Sequence, residues 1–133
     1  MSQSTSAGPF TPDELERIGG AEELQVSSTR PDGTDRPFVT IWGVRVGDHL
    51  YIRSAYGTGN PWFRRAVSSG IGRIQAGGVD REVSFTRIDP GDAVVQQAVD
   101  AAFHAKYDRH GPAIVGTVVG PVSHEATLRL DPR

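Results

Sequence analysis

The chain has 133 residues, 37% of them hydrophobic and 23% charged, with a formal net charge of −2. That length suits one hydrophobic core, and no stretch nears the roughly 18 consecutive apolar residues of a membrane helix. The small charge and the scattered basic residues give no electrostatic footprint for nucleic acid.

Cysteine is absent, which removes disulfides, thiolate nucleophiles, iron–sulfur clusters and cysteine zinc sites together. His49, His104, His110 and His124 show neither HExxH nor HxH spacing, so no metal site is expected. Met1 to Gly8 lacks the basic segment and apolar run of a secretory leader. The expectation is a cytoplasmic protein with a flexible start, residues 1–10, and a single domain over 11–133, with neither membrane nor nucleic acid among its partners. All but one of the 14 basic residues are arginine. Guanidinium forks suit phosphate and carboxylate recognition, and genome composition produces the same bias.

In chain order, Thr11-Pro12-Asp13-Glu14 reads as an N-cap, a proline at the first helical position and a capping-box glutamate. Leu15 and Ile18 share one face of that short helix, and Gly19-Gly20 stops it. Glu23 to Thr29 reads as a strand, and Arg30-Pro31-Asp32-Gly33 as the turn of a hairpin. Phe38 to Val46 is β-branched and aromatic throughout and reads as one strand, joined across Gly47-Asp48 to another at His49 to Ser54. Ile71 to Ala76 and Val79 to Ile88 form a third pair around Gly77-Gly78, with Val79, Val83 and Phe85 alternating against polar neighbours. Asp89-Pro90 opens a longer helix reaching about Arg109, where Val94, Ala98, Ala101 and Ala105 recur as a stripe and predict the docking face. Gly111-Pro112 ends it. Residues 113–120 are apolar but interrupted by glycine, and their period assigns no element. Ala126 to Leu130 alternates and closes the sheet. Six strands joined by short hairpins predict a mainly β (α+β) domain: a small six-stranded antiparallel barrel with a short first helix, a helix after the third strand and one long helix.

Candidate chemistry concentrates between Arg53 and Arg65. A strand ends at Arg53-Ser54, the Gly57-Thr58-Gly59 loop follows, and Asn60-Pro61 opens a helix whose free N–H groups favour an anion. Arg64 and Arg65 lie just inside that helix, where cations oppose the dipole unless an anion sits nearby. The alternative is a core stripe of Trp62, Phe63, Ala66 and Val67 with the arginines in solvent. The stretch lacks a P-loop lysine.

Thr29-Arg30-Pro31-Asp32-Gly33 with Arg36, Val46 to Ile52, and Asn60-Pro61-Trp62-Phe63-Arg64 resemble the deazaflavin-dependent nitroreductase branch of the pyridoxamine-phosphate-oxidase-like split barrels. Trp62 to Ala66, Gly77-Gly78 and the tail from Lys106-Tyr107 to Leu130 also resemble an uncharacterised family of small domains of unknown function. The resemblance spans nearly the whole chain from the first helix onward. It implies a split barrel and a flavin (FMN) or deazaflavin coenzyme, with Arg36, Thr40, Arg53, Ser54, Thr58, Asn60, Trp62, Arg64 and Arg65 around the cofactor and its phosphate. It also implies a homodimer. Arg30-Pro31-Asp32 departs from the basic, glycine-containing hairpin of the nitroreductase branch, so FMN and loss of cofactor stay open beside deazaflavin. Trp42, Tyr56, Trp62 and Tyr107 are available as a wall for the ring.

Two functions follow. One is an oxidoreductase of unknown substrate, in which the cofactor carries the hydride chemistry. The other is a non-catalytic module that binds or senses a small anionic ligand. No triad, paired carboxylates or nucleophile elbow singles out a catalytic residue.

Overall fold

The computed structural model describes residues 8–133. The first helix, α1 (Pro12–Gly20), begins with the expected capping box: Glu14 N–H donates to Thr11 Oγ1 at 3.1 Å and Thr11 N–H to Glu14 Oε1 at 2.9 Å. Phe10, ahead of the cap, is buried in the core, which therefore begins inside the segment expected to be flexible. Residues 1–7 of that segment lie outside the described residues.

Seven antiparallel strands follow: β1 (Leu24–Ser28), β2 (Val39–Ile41), β3 (Gly43–Val46), β4 (His49–Arg53), β5 (Ile71–Ala76), β6 (Val79–Arg87) and β7 (Thr127–Pro132). They lie in the order β2-β1-β5-β6-β7-β4-β3. The two edge strands of this sheet, β2 and β3, are separated in the chain by Trp42 alone. A sheet with edges one residue apart has to curl until they meet, and the result is a near-closed barrel. This replaces the single strand expected over Phe38 to Val46, so the barrel has seven strands rather than six. At the break, the Gly43 N–H bonds the Tyr107 hydroxyl at 3.3 Å. A β-carbon at Gly43 would lie 3.3 Å from Leu24 Cδ1, tight enough to favour glycine at this corner.

Strand β4 buries both of its faces, because the barrel interior lies on one side and a helix on the other. Leu50 and Ile52 join Leu24, Val26, Ile74, Val83, Leu128 and Leu130 inside the barrel, together with Leu15 and Ile18 of α1. Tyr51 faces outward into a second cluster. That cluster lies beneath α3 (Ala93–Tyr107), which is N-capped by Asp92 rather than by Asp89-Pro90. The helix docks through Gln96, Val99, Phe103 and Tyr107. The expected stripe is on the wrong face: Val94, Ala101 and Ala105 are exposed and Ala98 only half-buried. Phe103 and Tyr107 bury far more apolar area than alanines can, and area decides which face turns inward.

Residues 113–120, left without an element by their sequence, fold as the short α4 (Pro112–Val115) and a turn, followed by α5 (Pro121–His124). Among the described residues, no helix is long and apolar enough to cross a membrane.

Candidate functional site

Helix α2 (Pro61–Ser69) follows β4, and its buried face is Phe63 and Ala66. Its N-cap residue, Asn60, does not cap it. The Asn60 amide instead donates to Ser54 Oγ and to the Ala55 carbonyl, both at 2.8 Å, and locks the Ser54–Asn60 loop. Ser54 is fully buried in that lock, whereas Thr58 is exposed at the loop tip.

Arg53 does not reach out of the barrel. Its side chain is fully buried, and all five donor positions are used: Nε to Thr127 Oγ1 at 2.9 Å, Nη1 to Asp100 Oδ1 and the Val118 carbonyl, and Nη2 to Gln96 Oε1 at 2.7 Å and the Gln96 carbonyl. Phe103 covers one side of the guanidinium at 5.6 Å. Asp100 also meets His124 Nε2 at 2.9 Å. Burial pulls the Asp100 carboxyl upward, but hydrogen bonds from His124 and Arg53 outweigh it and hold the group below the usual carboxylate range. Arg53, expected to hold a phosphate, is instead the bolt between the barrel and α3, since a buried guanidinium without these partners would be costly.

Three hollows adjoin along the seam between β2 and α2. The first, of about 370 Å³, is walled mainly by Ile41, Trp42, Trp62, Ile114 and Val118, with Thr40, Asn60 and Thr117 as polar groups. Trp62 and Val39 also wall a smaller hollow of about 120 Å³ that runs on to Arg36 and Arg65. Those two arginines in turn border a third, of about 390 Å³, with Arg30, Ser68 and Ser69. The seam is therefore aromatic and apolar at one end and cationic at the other. Arg30 is committed to Thr34 Oγ1 and the Asp35 carbonyl. Arg36 and Arg65 have no carboxylate within 4.0 Å among the described residues.

Of the residues singled out in the sequence, Arg36, Thr40, Asn60, Trp62 and Arg65 come together along this seam. Thr58 and Arg64 are exposed outside the three hollows, and Ser54 acts behind the wall by holding Asn60. Ile114, Thr117 and Val118 escaped the sequence because their segment has no period, and only the fold brings it against β2. Trp42 was legible as an aromatic, but not as the wall it becomes by interrupting a strand. Among the described residues, no group of three or more His, Asp or Glu side chains is arranged to hold a metal ion.

A barrel closed over a single linking residue, with a helix after β4 and a groove along the seam, defines a split-barrel fold. Solved structures share the architecture. The heme storage protein HutZ from Vibrio cholerae matches with a TM-score of 0.64 at 12% identity, over 95% of this chain and 92% of that one. A candidate pyridoxamine 5'-phosphate oxidase from Listeria innocua matches at 0.61 and 10%, over 90% of each chain. An F420 reductase matches at 0.51 and 17%, over 92% of this chain and 94% of that one. At such identities the likeness is one of fold. The chain belongs to the DUF2255 family, described as "Uncharacterized protein conserved in bacteria", whose profile matches residues 14–130. No curated protein matches it.

Proposed function

We propose that this protein binds a phosphate-bearing aromatic cofactor, FMN or a deazaflavin, along the β2–α2 seam and uses it as an oxidoreductase. The observation that carries the proposal is the polarity of the seam: an indole-walled cleft runs into a pair of arginines without carboxylate partners. A planar ring needs the first, a phosphate needs the second, and guanidinium forks bond phosphate with charge assistance. The proposed phosphate ligands are Arg36 and Arg65, with Trp42 and Trp62 flanking the ring and Thr40 and Asn60 as polar contacts. The bound cofactor supplies the hydride chemistry, and the chain supplies binding and orientation. The F420 reductase and the Listeria protein lend support at the level of fold.

The proposal includes a two-fold homodimer. Ile114 borders the cleft, and Tyr56 and Val122 are exposed on the adjoining rim. Self-complementary pairing would cover these side chains and bury the cofactor. Light scattering that finds only monomers across working concentrations removes this part.

A second reading is a cofactor carrier or sensor. It is favoured by the cleft walls, where Arg53 is the one ionisable side chain and it is wholly engaged. Titration of the protein with FMN and with F420, followed by fluorescence, tests binding. Arg36→Ala and Arg65→Ala should each weaken binding by about tenfold, the cost of one charge-assisted contact. Binding unchanged in both variants, or absent in the parent, rejects the site. If binding occurs, oxidation of the reduced cofactor by a nitroaromatic acceptor no faster than in free solution favours the carrier.

A further inference from the structure

Away from the seam, on the other side of β3, lies a separate hollow of about 390 Å³ between α1 and α3. Its walls are apolar at Leu15, Val44, Ala102 and Ala105 and charged at Glu16 and Arg45, and Lys106 stands among them. Lys106 is the only lysine in the chain. Its ammonium donates to the Gly43 carbonyl at 2.7 Å and lies 5.1 Å from the centre of the Tyr107 ring. Among the described residues it has no carboxylate within 4.0 Å and no second hydrogen bond.

A lysine half-buried against Leu15, Val44 and Ala102, with Glu16 in the same hollow but no carboxylate within 4.0 Å of its ammonium, is an unusual use of this side chain, which ordinarily keeps its charge in water. Losing the proton is how such a group relieves its burial, and amines activated in this way are nucleophiles toward carbonyl carbon. We propose that Lys106 is a covalent attachment site for small aldehydes, which enter the α1–α3 hollow and form an imine with its amine. The amine nitrogen bonds to the carbonyl carbon, the N–H proton passes to the carbonyl oxygen, and loss of one water from the carbinolamine leaves the imine. No oxidant or reductant takes part. Burial supports the proposal by pushing the Lys106 pKa down to about 8. At a pH of about 7.4 this leaves roughly a fifth of the amine neutral, against about 0.1% for an ordinary lysine. The inference does not depend on any cofactor in the seam.

The test is reductive trapping with propanal and cyanoborohydride, with the adduct located by peptide mass spectrometry. The amino terminus and the amine of acetyl-lysine amide serve as internal and external references. Lys106 should be labelled about tenfold faster than acetyl-lysine amide at neutral pH, since the gain in free amine exceeds the loss of intrinsic nucleophilicity. Its labelling rate should rise to half its plateau near pH 8. Ala105→Leu, at an exposed position, should slow labelling several-fold without moving the unfolding midpoint, because it narrows the hollow. Lys106→Arg should leave only the amino terminus labelled. The proposal is overturned by labelling confined to the amino terminus in the parent, or by Lys106 reacting at the rate of the free amine. Equal labelling of the Ala105→Leu variant and the parent overturns it too, since the hollow would then play no part.

Discussion

Trp42 lies flat against Tyr107, with ring centroids 4.0 Å apart and planes 6° from parallel. The contact joins the point where the barrel changes edge to the last turn of α3. The Tyr107 hydroxyl completes the joint, its one proton shared between the Glu22 carbonyl at 2.9 Å and the Gly43 carbonyl at 3.1 Å. One indole face thus holds the fold while Trp42 also walls the cleft. Trp42→Ala should cost about 2–3 kcal/mol in urea unfolding, less than a fully buried indole because the residue is half-buried. Tyr107→Phe keeps the ring and should cost about 1 kcal/mol through the lost hydroxyl bonds. If Trp42→Ala unfolds with the parent, the stack is incidental.

Arg53→Met should destabilise by about 3–5 kcal/mol, because buried acceptors on Gln96, Val118 and Thr127 lose their donor and the partly exposed Asp100 is left with His124 as its remaining side-chain partner. Arg53→Lys should recover little of this, since an ammonium cannot serve the five directions the guanidinium occupies. The folded pKa of Asp100 is held below its unfolded value. Its contribution is therefore present above the unfolded pKa and lost as pH falls through the folded one. Acid titration of the Asp100→Asn variant should show a shallower loss of stability below about pH 4 than the parent.

The two faces of α3 should separate cleanly. Ala101→Glu should change stability by no more than about 0.5 kcal/mol, as at any exposed helix position, while Phe103→Ala should cost about 3–5 kcal/mol. Comparable losses from the two substitutions in denaturant melts would mean that α3 is rotated from the docking described.

Alkaline stability should pass through a maximum set by adjacent residues. Burial lowers the Lys106 pKa from 10.5 to about 8, so between those values the unfolded chain binds the extra proton and stability rises with pH. Burial raises the Tyr107 pKa from 10.0 to about 12, so its contribution is complete below 10.0 and is lost as pH climbs toward 12. Denaturant melts between these limits should show Lys106→Met removing the rise and Tyr107→Phe removing the fall. A parent curve that falls throughout contradicts the first of these assignments.

Gly77 and Gly78 both have positive φ, at 57° and 83°, but only Gly77 is crowded. A β-carbon there would lie 2.3 Å from the Arg17 carbonyl oxygen, whereas at Gly78 the nearest atom is 3.7 Å away. Gly78→Ala should cost about 1 kcal/mol of backbone strain, and Gly77→Ala should exceed it by at least about 1 kcal/mol, because α1 must move off the β5–β6 turn. Equal melting temperatures for the two variants would show that α1 gives way freely.

Local chemistry alone was enough to locate the capping box at Thr11 and Glu14, the β5–β6 turn, the alternation of Val83 and Phe85, and the helix after Asn60. Each rests on neighbours within a few residues, so the sequence carries it whole. Tertiary structure decided what depends on residues far apart. It broke Phe38–Val46 at Trp42, because Tyr107, over sixty residues later, supplies the partner for that corner. It turned α3 onto Phe103 and Tyr107, since a cluster that includes Val44 and Tyr51 lay ready to receive aromatic area. It drew Arg53 inward, because Gln96, Asp100, Val118 and Thr127 converge on one guanidinium, and a convergence of that kind leaves no local pattern. It set Arg65 with Arg36 on the lining of the groove and left Arg64, one position away and likewise exposed, outside it: a step of about 100° around a helix decides which arginine borders the groove.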